Sequence, residues 1–420
     1  MKKRFLAPDV FRGLTMMFMT IVNNPGDWGN IYPPLEHAEW HGWTPTDLVF
    51  PFFLFIVGLS TVFSMPDITQ RNEHTLQKII TRTLRIFLLG LFLNFYSKIH
   101  LGSLDGIPLM IFRTFISIVI AVLLLGKYEA KKQLWVAVSL FGIMIVLAFG
   151  GFADFALVRI PGVLQRIALV YFIISILYTY TSTKFQIFVI FLTLIGYWLL
   201  MSLIPVPGIG IASYEKGQNL AAWLDNYLLE GHLWAVSKTW DPEGILSTIP
   251  AIATGLAGVF TGKLFLSNSV AQKKLYIMLS AGILSLCIGL VWNEFFPINK
   301  ALWTSSYVCL AAGLALLVLA FIYYLTEILL FTQFTKAFVI FGVNPMLVFY
   351  ASGIIPRAFN MIQISYNSES IGLIDFLYSQ GISPNFENQK IASLVGALVY
   401  LLIWYIILLI LDKKKIILKV

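Results

Sequence analysis

The chain has 420 residues, of which 58% are hydrophobic and only 12% charged, with a mean hydropathy of +0.82. Soluble domains carry about 25% charged residues, so this composition excludes a soluble globular class. The formal charge of +8 does not point to nucleic acid, because the basic residues lie in short loops between apolar runs, where they set topology.

Runs of about 20 apolar residues cross a bilayer as helices, since lipid satisfies no free backbone polar group. They predict an all-α polytopic membrane protein forming one domain over 1–420, with twelve spans. In chain order these lie near 9–24, 46–65, 77–96, 107–126, 133–152, 162–181, 185–204, 244–266, 273–292, 302–327, 336–356 and 391–411. The start, MKKRFLAPDVFRG, lacks a small-residue cleavage site after its apolar run and reads as a retained first helix. Asp9 and Arg12 sit there at i,i+3 spacing. They are either a mutual ion pair or a functional pair, because ionisable groups are costly in hydrocarbon.

Between the first and second spans, LEHAEWHGWTPTDLVFPFF (35–53) gathers His37, His41, Glu36, Glu39, Asp47, Trp40 and Trp43. An interfacial loop with an aromatic belt accounts for it. So does a catalytic site, because histidine titrates near neutrality and serves as base, acid or nucleophile. Thr44-Pro45-Thr46-Asp47 matches a capping box with Asp47 at N3. The same carboxylate is also suited to orient a protonated His37.

Further along, Arg113 and Arg166 fall inside the fourth and sixth spans, each a few residues after an Ile-Pro pair, and Gln165 adjoins Arg166. Ahead of the eighth span, TWDPEG (239–244) repeats the logic of a capped start. Asp241 is the cap, Pro242 the first turn, and Glu243 complements the helix dipole. Trp234 and Trp240 nearby suit either a sugar ring or the aromatic belt. Asn344-Pro345 interrupts the eleventh span, as a kink or as a polar ligand site. Cys287 and Cys309 fall in apolar runs and read as small hydrophobes, with neither a disulfide framework nor a metal site expected.

Alternate loops carry the cations: Lys2, Lys3, Arg4, Arg71, Lys78, Lys127, Lys131, Lys132, Lys184, Lys263, Lys273, Lys274, Lys336, Lys413, Lys414 and Lys415. The positive-inside rule then places both termini in the cytoplasm. The long loops 24–45, 205–243 and 357–390 converge on the opposite face, where function concentrates. A Walker loop, a GxGxxG turn, HExxH and GxSxG are absent from any credible setting, which argues against an ATPase, a Rossmann enzyme or a zincin.

VNNPGDWGNIYPPLEHAEWHGWTPTDLVFPFFLFIVG closely resembles the bacterial branch of the heparan-α-glucosaminide N-acetyltransferase family. So do PDVFRGLTMMFM, VRIPGVLQRIALVYF (158–172), KTWDPEGILSTIPAIATGLAGVFTGKL (238–264), FPINKALWTSSYV (296–308) and the closing YIILLILDKKKIILKV, in the family's order. The resemblance implies transfer of an acetyl group from cytosolic acetyl-CoA to an amino sugar across the membrane. The family's active-site histidine falls on His37, its neighbouring asparagine on Asn23, and its helix-start aspartate on Asp47. The acidic pair falls on Asp241 and Glu243. We expect His37 and Asp47 to be catalytic, and Asn23, Trp40, Asp241, Glu243 and Trp303 to bind the acceptor. Arg12, Gln165, Arg166 and Asn344 are the candidates for holding acetyl-CoA.

The implied setting is the cytoplasmic (inner) membrane, with a homodimer possible and no nucleic acid partner. Two departures stand out. The large luminal domain and extra first helix of animal members are missing, which moves the expected acceptor from heparan sulfate to a simpler amino sugar or glycan fragment. An extra helical pair is expected at about 100–155. A sugar or peptide transporter, or an O-acyltransferase acting on a cell-envelope glycan, is the competing reading.

Overall fold

A computed structural model describes residues 5–69 and 71–418; Lys2, Lys3 and Arg4 of the basic set lie outside the described residues. Helices occur at all twelve expected positions. They are α1 (Ala7–Val22), α2 (Val49–Ser64, led by a 3-10 turn Pro45–Leu48), α3 (His74–Phe95), α4 (Gly106–Leu125), α5 (Ala130–Phe149) and α6 (Val163–Tyr180). Then come α7 (Thr183–Leu203), the short α8 (Leu220–Leu229), α9 (Thr248–Leu266), α10 (Ala271–Trp292) and α11 (Ser305–Tyr323). The eleventh expected span is two helices, α12 (Thr335–Val343) and α13 (Pro345–Phe359). A hairpin of β1 (Gln363–Tyr366) and β2 (Glu369–Gly372), then α14 (Leu373–Gly381), precede α15 (Gln389–Lys413).

Among the described residues ten helices are long and apolar enough to cross a membrane, or eleven if the α12–α13 pair is one span. The architecture is therefore the expected all-α polytopic membrane type, with a count near twelve. Two differences have physical causes. The α1 helix has 16 residues, about 24 Å of rise, which is short of a typical hydrocarbon thickness. The eleventh span bends by 77° at Asn344-Pro345, because proline supplies no N–H to continue the ladder and clashes with the preceding turn.

The middle of the bundle is built from α2, α3, α6 and α9, whereas α4, α5, α10 and α15 turn most of their surface outward. Bilayer lipid is as apolar as leucine, so close packing rather than hydrophobicity holds such helices together. Gly58 of α2 and Gly258 of α9 show how: a Cβ on Gly58 would lie 1.9 Å from the Gly255 carbonyl oxygen, and one on Gly258 would lie 1.9 Å from that of Phe55. The two backbones touch directly. The expected extra pair at about 100–155 is α4 and α5, both packed on α3 at the edge of the bundle.

Helices alternate in direction, so the connections divide between two faces. One face carries the long segments, where Gly26 bonds Ser393 at the start of α15, Asn299 of the α10–α11 segment bonds Trp40, and Arg159 of the α5–α6 segment bonds Asp241. The opposite face holds short turns rich in Lys and Arg, such as those with Arg71, Lys127, Lys184 and Lys273. The long segments are ordered platforms: 205–243 contains α8, and 357–390 contains the hairpin and α14.

Candidate active site

The 3-10 turn Pro33–Leu35 bends the first long loop back over the start of α2. Thr46 Oγ1 donates to the Pro34 carbonyl at 3.2 Å and Thr44 Oγ1 to that of Glu36 at 2.5 Å. The capping box forms: Asp47 Oδ2 accepts the Thr44 backbone N–H at 3.0 Å, and also that of Ala38 at 3.1 Å. Its other oxygen, Oδ1, stands 2.6 Å from His37 Nδ1. A carboxylate only accepts, so Nδ1 carries the hydrogen, and in the neutral ring Nε2 is the nitrogen with the lone pair. Asp47 is 1% exposed and the His37 side chain 52% exposed. The result is an enclosed acid holding an open imidazole by its far nitrogen.

The segment between α10 and α11 forms the wall facing Nε2. Gly42 N–H donates to the Ile298 carbonyl at 2.7 Å, and Gly42 and Asn299 form a bridge between the two segments. Asn299, fully buried, donates from Nδ2 to the Trp40 carbonyl at 2.8 Å and accepts the Leu302 N–H at 2.9 Å. The next residue, Lys300, reaches back so that Nζ lies 3.5 Å from His37 Nε2. Trp40 Nε1 donates to the Tyr214 carbonyl at 2.9 Å, and its ring meets Trp240 edge-on at 5.3 Å. Trp40 thus belongs to a partly exposed aromatic group.

Trp303 does not present a face to solvent. It is fully buried, held at a positive φ of 52°, with Nε1 donating to Thr254 Oγ1 at 3.2 Å. Its ring packs edge-on against Phe50 and Tyr307. The Tyr307 hydroxyl donates to the Asp47 backbone carbonyl at 2.5 Å, so Trp303 is part of the floor beneath the dyad.

The DPEG stretch departs from its expected role as a cap. The helix begins at Thr248, seven residues after Asp241. Arg159 takes both carboxylates instead: Nε donates to Asp241 Oδ2 at 2.8 Å, and Nη2 to Asp241 Oδ1 and Glu243 Oε2 at 2.5 Å each. The loop backbone around Arg159 is pinned, with its carbonyl accepting from Asn94 Nδ2 at 2.7 Å and the next N–H donating to the His232 carbonyl at 2.9 Å. Asp241 Oδ1 also accepts the Glu243 N–H at 2.9 Å, so it closes a local turn ahead of the helix while the guanidinium fork holds both of its oxygens.

Asp225 of α8 serves that backbone too. It accepts the Ile245 N–H at 2.9 Å and the Asp241 N–H at 3.3 Å. Gly244 makes room for it, since a Cβ there would sit 2.0 Å from Asp225 Oδ2. Burial pushes the Asp225 carboxyl up to about 6, only partly offset by those two N–H groups. Burial alone would also raise Glu243, but Arg159, Lys300 and Arg166 outweigh it and hold that carboxyl below its ordinary range.

The four residues expected to hold the acyl donor are not brought together. Arg166 and Gln165 lie in the first turn of α6, beneath the DPEG segment. Arg166 Nη2 donates to the Gly244 carbonyl at 3.1 Å and to Ser247 Oγ, with the guanidinium 5.1 Å from the Trp303 ring centroid. Its Nε and Nη1 are buried without a hydrogen-bond partner. Gln165 Nε2 donates to the Ile160 carbonyl at 3.1 Å. Arg12 is near the other end of α1, bonded to Asp9 at 2.7 Å and to the Gly342 carbonyl at 2.6 Å, so the expected ion pair is present. Asn344 lies close to that carbonyl and binds the chain end, donating to Ile416 O at 3.1 Å and accepting the Leu418 N–H at 2.8 Å. It lines a cavity of about 230 Å³ with Leu408, Asp412 and Lys415. Arg113 braces loop carbonyls, donating to Ile99 at 2.8 Å and Ser97 at 3.0 Å. Asn23 is the exposed C-cap of α1, and no hydrogen bond joins it to His37 among the described residues.

Sequence reasoning missed Arg159, Lys300 and Asp225. For Arg159 a signal existed: an arginine just ahead of Ile160-Pro161, in a chain whose richest acidic stretch outside the first loop is DPEG. For Lys300 and Asp225 no local pattern distinguished them from scattered loop charges.

No family model matches the chain. The chain is 28% identical over 375 residues to the heparan-alpha-glucosaminide N-acetyltransferase of Homo sapiens, covering 77% of this chain and 49% of the relative. It is 27% identical over 467 residues to the protein of the same name from Mus musculus, covering 99% of this chain and 60% of the relative. The chain thus spans about half to three-fifths of the curated relatives it matches. These two similarities support membership of that family.

Proposed function

We propose that this member of the heparan-α-glucosaminide N-acetyltransferase family carries the acetyl group of cytosolic acetyl-CoA to an amino sugar on the other side of the cytoplasmic membrane. The observation that carries the reading is the 2.6 Å contact of His37 Nδ1 with the enclosed Asp47. With Nδ1 donating to Asp47, Nε2 of the neutral ring is the nitrogen that accepts a proton, and it lies at the loop-rich end of the bundle. A free amine attacks a thioester only when deprotonated. The ammonium first gives one proton to solvent; the neutral amine then attacks the thioester carbon, His37 Nε2 takes the surplus proton from the nitrogen as the C–N bond forms, and that proton passes to the sulfur as the C–S bond breaks. Asp47 stabilises the imidazolium in between.

The relatives' names support the transfer class, and the basic short-turn face supports the cytoplasmic side as the side of the donor. The donor fits the chain's interior in one respect: Arg166 offers two buried guanidinium nitrogens without partners below the His37 loop. A polar arm reaching the dyad from within the bundle would find donors there. Trp40 and Trp240 offer ring faces for a sugar beside Nε2.

His37→Ala tests the reading. Acetyl transfer from acetyl-CoA to glucosamine falls by about 10²–10⁴-fold, and a melt measures separately the cost of leaving the enclosed Asp47 without its histidine. Full transfer by that variant would refute the site. Labelled acetyl-CoA supplied without acceptor distinguishes direct transfer, which leaves His37 unmodified, from an acetyl-imidazole carrier, which labels it.

A further inference from the structure

We propose that Lys300 is a catalytic residue whose ammonium stabilises the oxyanion that develops at the acetyl carbonyl beside His37. The inference rests on the reading of His37 as the proton acceptor and adds a group to that site. Lys300 Nζ stands 3.5 Å from His37 Nε2, the nitrogen opposite the one Asp47 holds. That separation is too long for a tight hydrogen bond, so the ammonium is not locked onto the lone pair. A carbonyl carbon poised for attack by an amine that Nε2 deprotonates lies next to both atoms. Its oxygen is then within reach of the ammonium.

The structure also fixes where this cation sits. Lys300 is flanked by the fully buried Asn299 and, three residues on, the fully buried Trp303. Asn299 ties its segment to the Trp40 carbonyl, and the Gly42–Ile298 hydrogen bond and Gly42–Asn299 bridge tie it to the His37 loop. Two segments about 260 residues apart in sequence therefore move as one unit, and a preorganised charge needs no reorganisation when the oxyanion forms. The Lys300 charge also helps keep the Glu243 carboxyl, itself bonded to Arg159, below its ordinary range. Charged and titratable groups around the position are Asp47, His37, Glu243 and, beyond it, Arg159.

The test compares wild type, Lys300→Met, Lys300→Arg and His37→Ala as full chains in lipid nanodiscs, with acetyl-CoA and glucosamine as substrates. An interaction made only in the transition state lowers kcat and leaves KM in place. Lys300→Met is expected to lose about 10²–10³-fold in kcat, with both KM values within about threefold. Lys300→Arg, which keeps the charge, recovers most of that loss. A Lys300→Met enzyme with wild-type kcat, or one altered only in KM, overturns the proposal. Both arms are interpreted against His37→Ala: if that variant alone is inactive, Lys300 has no catalytic part and the histidine reading stands. If His37→Ala is fully active, the site reading itself fails. A melting curve for each variant shows that it is folded at the assay temperature.

Discussion

Two helix starts in this chain look alike in sequence and behave differently in the fold. TPTD before α2 and DPEG before α9 both place proline between a cap candidate and an acid. In the first, Asp47 caps through Thr44 and Ala38 and uses its other oxygen on His37. In the second, Asp241 and Glu243 turn to Arg159, and Asp225 arrives from α8 to accept the N–H groups of Asp241 and Ile245. The difference is the neighbour. A histidine beside a cap shares the carboxylate, because the cap occupies one oxygen only. An arginine fork engages both oxygens of Asp241 and leaves it the nearby Glu243 N–H as a backbone partner.

The largest break in this comparison comes from the second start. Arg159→Met leaves two enclosed carboxylates without their partner and is expected to cost about 3 kcal/mol of stability, since removing one member of a buried pair strands the other. A thermal or denaturant melt in detergent checks it. Arg159→Lys, lacking the planar fork, recovers only part.

Asp47→Asn sharpens the first start. The amide oxygen still caps Thr44, so the melt changes little, but the amide no longer stabilises an imidazolium. A fall of about 10²-fold in kcat is expected, about 2.7 kcal/mol of transition-state stabilisation. Loss of folding rather than activity would mean that the cap is the residue's whole role.

The smallest effect concerns Asp225. Its carboxyl is raised by burial to about 6 in the fold, above its ordinary 3.8. The folded protein therefore binds the proton more tightly than the unfolded chain. The stabilisation is complete below the ordinary carboxylate range and is lost as pH rises through about 6. Stability should decline between about pH 4 and pH 6 by roughly 1–2 kcal/mol, and Asp225→Asn should flatten that stretch of the melting-temperature profile. An unchanged profile would mean that Asp225 does not titrate there.

Much of this could be read from the residues in order. Apolar run length gave the helices, Asn344-Pro345 gave the break, and Thr44-Pro45-Thr46-Asp47 gave the cap, because each is settled within a few residues by backbone hydrogen bonding. The i,i+3 pair Asp9–Arg12 is equally local. The DPEG acids were misjudged for the same reason: local chemistry favours capping, and the arginine that overrides it is 82 residues away.

The sequence by itself determined that this is a multi-span helical protein with its cations gathered on alternate loops, and that Asp47 closes a capping box at the start of the second span. Only the tertiary structure decided that Lys300 faces the free nitrogen of His37, that Arg159 claims the DPEG acids, and that Trp303 lies under the site. Hydrogen bonds within a turn follow from adjacent residues, whereas charge pairs between distant loops exist only once the bundle has brought its loop ends to one face.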